Sequence, residues 1–79
     1  MRIAIYWSHA RRRWYERIDG VSAPLRHSIY LPTNPTYKQI EDALIELASC
    51  YGEDLQPGDV DIDLSDDASA TWERTVVCA

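Results

Sequence analysis

Hydrophobic and polar positions alternate with a period of two over five stretches of this chain and fall at spacings of three and four over one, which predicts a sheet and a single helix. Residues 2–8 place Ile3, Ile5 and Trp7 on one side and Arg2, Ala4, Tyr6 and Ser8 on the other, a strand rich in β-branched and aromatic residues. His9, Ala10, Arg11 and Arg12 break the alternation and residues 13–19 resume it, so a hairpin with arginines at its connection is expected. Gly20 closes the second strand. Residues 21–24 are expected as a loop, because Pro24 cannot donate to a ladder. Residues 25–31 set Leu25, His27, Ile29 and Leu31 against Arg26, Ser28 and Tyr30, which predicts a third strand ended by Pro32.

The period changes after Thr33-Asn34-Pro35-Thr36, a dense helix-start signal. Either Asn34 caps with Pro35 at the first helical position, or Thr36 caps with Gln39 reaching back. Tyr37, Ile40, Leu44, Leu47, Ala48 and Tyr51 then form one apolar stripe, while Lys38, Glu41, Asp42, Glu46 and Ser49 are expected to face away. Gly52 follows where a left-handed residue is wanted.

Pro57-Gly58 turns the chain into the stretch with the sharpest question. Over residues 56–64, Val60, Ile62 and Leu64 alternate with Asp59, Asp61 and Asp63. Aspartate is a poor strand former, so a strand with an apolar face and a row of carboxylates needs a reason beyond local propensity. Residues 65–70 are expected as a polar loop holding Asp66 and Asp67, and residues 71–78 as a last strand with Trp72, Val76 and Cys78 on one face. The expected fold is one small α+β domain over residues 1–79, an antiparallel sheet of about five strands with one helix packed on it in the order βββαββ. One helix leaves one sheet face uncovered, and Trp7, Trp14 and Tyr15 are expected there in part.

Charge sharpens this picture. Among 79 residues the net charge is −5, but residues 1–38 hold seven Arg or Lys against two acids and residues 39–79 one against eleven. Such asymmetry points to an electrostatically guided partner. No apolar run approaches the roughly 18 residues of a membrane span, and no signal-peptide pattern opens the chain, so a cytoplasmic protein is expected. Cys50 and Cys78 form no paired motif and are read as small buried apolar side chains. With His9 and His27 they have metal-ligand chemistry but not metal-ligand spacing.

Asp59-x-Asp61-x-Asp63 resembles the opening of a calcium loop, but Leu64 and Ala70 stand where such a loop needs Gly and Glu. Alternate strand carboxylates lie about 6.6 Å apart, diverging along a line rather than converging on an ion. No metal, cofactor or catalytic residue is therefore assigned, and no nucleophile, base or phosphate loop stands at a motif spacing. A line of carboxylates suits a groove of Lys and Arg that ordinarily holds phosphates. The candidate partner-binding residues are Asp59, Asp61 and Asp63, supported by Glu41, Asp42, Glu46, Asp66 and Asp67; the plainer reading is a solvated face. Arg11, Arg12, Arg13 and Arg17 with Trp7, Trp14 and Tyr15 have the composition of a single-strand binder, against which the negative net charge stands.

In its size, concentrated acidic charge, compact α+β outline and lack of catalytic residues, the chain resembles the small anti-CRISPR proteins of phages and mobile elements, in particular inhibitors of type I surveillance complexes. The resemblance implies a stoichiometric inhibitor in a bacterial host cell, whose acidic surface occupies basic nucleic-acid-binding residues and blocks target DNA. A small interaction module that self-associates through a sheet edge or aromatic face, as a homodimer, is the alternative.

Overall fold

The computed structural model describes residues 1–65 and 68–74, which form a five-stranded antiparallel sheet and one helix. In chain order the elements are β1 (Arg2–Ser8), β2 (Arg13–Ile18), β3 (Val21–Pro24), α1 (Tyr37–Ser49), β4 (Asp61–Asp63) and β5 (Ser69–Glu73). The α+β class and the order of elements agree with the sequence periodicity. Across the sheet the strands run β3-β2-β1-β5-β4, so the two ends of the described chain lie side by side in the middle.

The first hairpin forms as expected, with Trp7 opposite Trp14 and the arginine-bearing connection between. The third strand does not. Asp19 and Gly20 adopt φ of 48° and 86°, the left-handed pair of a two-residue hairpin turn. That turn pairs Val21 with Ile18 and Pro24 with Tyr15, so residues 21–24 are an edge strand rather than a loop. Pro24 is tolerated because it ends an edge strand.

Residues 25–31, expected as a strand, are irregular and cover the part of the sheet that the helix leaves bare. The Trp14 indole N–H donates to the Pro32 carbonyl at 3.1 Å, and the Leu25 amide to the Trp14 carbonyl at 3.0 Å. Ile29 and Leu31 are buried, whereas His27, expected on the apolar side, is exposed. Their alternation records a flap with an inside and an outside.

Of the two possible helix caps, Thr36 is the one used. The Gln39 amide donates to Thr36 Oγ1 at 3.2 Å, and the Thr36 amide to Gln39 Oε1 at 2.8 Å, closing a capping box. At the other end Gly52, at φ 79°, donates to Ser49 while the Glu53 amide reaches the Ala48 carbonyl at 3.0 Å. The stripe between them buries Ile40, Leu44, Leu47 and Ala48 against β1, β4 and β5. Tyr37 and Tyr51 at its ends are exposed, since they overhang the sheet.

Ile3 and Ile5 meet Ile40, Leu44 and Leu47 in the fully buried centre of the core. Trp7 and Trp14 pack edge to face at 5.4 Å on this same covered side. Trp14 is only 7% exposed, which corrects the expectation that it lies on the open face. Cys50 is exposed rather than buried, because it follows the last helical turn. Cys78 lies outside the described residues. Among the described residues no helix is long and apolar enough to cross a membrane.

Candidate binding face

Strand pairing decides which side chains share the face opposite α1. Ile3, Ile5 and Trp7 point to the core, so Arg2, Ala4, Tyr6 and Ser8 of β1 point away, together with their cross-strand partners. Two rows result. One runs Ser22, Arg17, Ala4, Thr71, Asp61 from β3 to β4, and the next Pro24, Tyr15, Tyr6, Ser69, Asp63. Beyond the first row Arg2 stands opposite Glu73, with Nε to Oε1 at 2.9 Å, and Arg13 stands opposite Ser8 beyond the second.

The face is therefore basic at β2, aromatic at its centre and acidic at β4. Tyr6 and Tyr15 stack with centroids 5.9 Å apart, and the Arg17 guanidinium lies 5.0 Å over the Tyr6 ring while Nε donates to Ser22 Oγ at 3.0 Å. This stacking fixes a long side chain that would otherwise sample many rotamers. Arg11, Arg12, Arg13 and Arg17 make no ion pair among the described residues. Ala4 and Thr71 are small, and around them Arg2, Arg17, Asp61 and Glu73 rim a depression of about 500 Å³.

Asp61 and Asp63 stand as the alternation predicts, exposed and two residues apart on β4. Asp59 does not continue the row. It lies in the turn before the strand, where Oδ2 accepts from the Gln56 amide at 2.9 Å. Leu64, expected to face the core, is 45% exposed. The strand has ended by then, because Asp63 Oδ1 accepts from the Ser65 amide at 2.9 Å and turns the chain. That contact and the Ser65 hydroxyl hold the Asp63 carboxyl below the ordinary aspartate range, the hydroxyl having the larger effect.

The helix acids belong to the other layer. Glu41 is 8% exposed, not facing away, because α1 turns it toward the body of the domain. Asp42 is exposed and pairs with Lys38 at 3.2 Å one turn earlier, and Glu46 is exposed with the sheet between it and the β4 aspartates. Asp66 and Asp67 lie outside the described residues, as do residues 75–78 of the expected last strand. Ser69 and Ala70, expected in a loop, begin β5 instead, and Ala70 is buried opposite Ile5.

The single acidic surface expected from the sequence is thus divided. The carboxylates on β4 also have a structural use, since β4 is a sheet edge of three residues and charge there discourages pairing with another chain. Sequence reasoning missed Tyr6 and Glu73 as members of this face, although their place on the polar side of the alternation was legible. Among the described residues no group of three His, Cys, Asp or Glu is placed to hold a metal ion. None of the family models, curated proteins or solved structures compared with the chain matches it.

Proposed function

We propose that this chain is a non-enzymatic binding protein of the bacterial cytoplasm that acts stoichiometrically, docking through the open face of its sheet. The observation that carries the reading is that among the described residues this face has no covering layer and ends in two exposed, parallel aspartates on β4. Their spacing of about 6.6 Å presents charge in a line, which matches basic residues lining a nucleic-acid groove. An anti-CRISPR-like inhibitor would use Asp61 and Asp63 in this way to occupy the DNA-binding residues of a type I surveillance complex.

The test is a pull-down with tagged protein from lysate containing such complexes, followed by a target-DNA gel shift. Co-purification with loss of the shifted band supports the reading, provided that Asp61→Asn with Asp63→Asn weakens both. Capture that ignores these substitutions and ionic strength overturns the acidic contact.

A second reading, a self-associating module, is favoured by the presence of both charge signs on the same face.

A further inference from the structure

The open face has a property that a purely acidic docking surface would lack: its charges are segregated so that the face complements itself. We propose that a second copy of this chain is the occupant of the face, joined to the first about a two-fold axis that runs along the strands between β1 and β5. The inference rests on the reading of the open face as a docking surface and is independent of any inhibitor target.

Two sheets meet face to face about ten ångströms apart, and a two-fold axis that brings like faces together must lie between them. An axis across the strands sets each strand over its own copy, so Asp61 and Asp63 would face Asp61 and Asp63. Like charges in direct opposition disfavour that arrangement. An axis along the strands keeps each row in register and reverses the strand order.

Placed between β1 and β5, it sets β4 of one copy over β2 of the other and β5 over β1. Row by row, Asp61 then faces Arg17, Asp63 faces the Tyr15 hydroxyl, and Arg2 faces Glu73. The stacked Tyr6 lies over Ser69, and Ala4 over Thr71, so the bulky centre of one face meets small side chains on the other. Such an interface is isologous and closed, which limits assembly to a dimer.

Four strands at their usual spacing and three rows of side chains give roughly 400 Å² of each copy. The two copies together bury about 800 Å², below the roughly 1,200 Å² of a stable specific interface, so the dimer is weak and concentration-dependent. Because the contact is largely ionic at its rim, it loosens as salt rises. The dimer also covers Asp61 and Asp63, so self-association competes with docking of a basic partner.

Sedimentation velocity of the full chain over a wide concentration range, at low and high salt, tests this with two charge reversals at exposed positions. Wild type is expected to approach twice the monomer mass at high concentration and low salt. Arg17→Asp and Asp61→Arg each create two like-charge pairs per dimer and weaken association roughly tenfold or more. An equimolar mixture of the two variants restores opposite charges at both contacts and is expected to dimerise when neither does alone.

Wild type that stays monomeric throughout, single variants that dimerise as well as wild type, or a mixture that does not recover would each overturn the proposal. Circular dichroism confirms that the variants fold. Tight binding of a labelled single-stranded oligonucleotide by a monomeric wild type would instead assign the tyrosine and arginine half of the face to nucleic acid. If the dimer fails while the basic partner still binds through Asp61 and Asp63, the docking reading survives and only the second copy is lost.

Discussion

Glu16 grips Arg26 at three points: Oε1 accepts from the Arg26 amide at 3.1 Å and from Nε at 3.4 Å, while Oε2 accepts from Nη2 at 3.2 Å. Nη2 also donates to the Tyr51 hydroxyl at 2.9 Å, and the guanidinium lies 5.2 Å over the Tyr51 ring. One side chain thereby ties β2, the irregular segment 25–31 and the turn that follows α1. Glu16 occupies a core-facing strand position and is 6% exposed, so its charge is tolerable only while Arg26 answers it. Hydrogen bonding to Glu16 in turn pushes the Arg26 pKa further up, and its charge is present at every pH where the protein folds.

Arg26→Ala should accordingly destabilise the domain by about 2 kcal/mol, less than a wholly buried pair would lose because a third of the Arg26 side chain is open to water. Urea unfolding at neutral pH reads the loss. Glu16→Gln keeps a hydrogen-bonding acceptor and should be milder. A negligible change in the alanine variant would mean that the flap is held by Trp14 and the buried Ile29 and Leu31 without the ion pair.

The turn that creates β3 gives a second expectation. A Cβ at Gly20 would meet nothing within 4 Å, so Gly20→Ala has no clash, only a residue forced to φ 86°. The variant should lose about 1 kcal/mol. Because that loss comes from backbone conformation alone, Gly20→Asn, which tolerates this region better, should recover part of it. Thermal unfolding of the three proteins side by side distinguishes the outcomes.

At the helix start, Thr36→Ala removes one half of the capping box and should lower stability by about 1 kcal/mol. Asn34→Ala should change little, because Thr36 and not Asn34 accepts from the helix amides.

These sites also mark where the sequence was and was not legible. β1, β2 and α1 follow from periodicity because each has one side in the core and one in water over several turns or pleats. The Asp19-Gly20 signal for a two-residue hairpin is present in the sequence, but Pro24 excludes only a central strand, and residues 21–24 form an edge. Residues 25–31 alternate because a flap, like a strand, has a buried and an exposed side; only the inward placement of Trp14 and Glu16 explains why a cover is needed there. Local pattern places Asp61 and Asp63 on the exposed side of β4, where the structure has them. Grouping them with Glu41, Asp42 and Glu46 failed because charge in the same half of the chain does not imply the same side of a sheet.

The acidic edge carries the last prediction, which concerns pH. Asp63 is held below the ordinary value of 3.8 by the Ser65 hydroxyl first and the Ser65 amide second. A carboxyl whose folded pKa is depressed adds stability above its unfolded value and loses it as pH falls through the folded one. Asp63 is fully exposed, so the contribution is small and is better read from the carboxyl itself by NMR titration than from unfolding. Its midpoint should lie below that of a free aspartate. Ser65→Ala should raise it only part of the way, because the amide contact at 2.9 Å remains. An unchanged midpoint in Ser65→Ala would mean that the amide alone orders the turn after β4, and with it the direction in which Asp63 presents its charge to a partner.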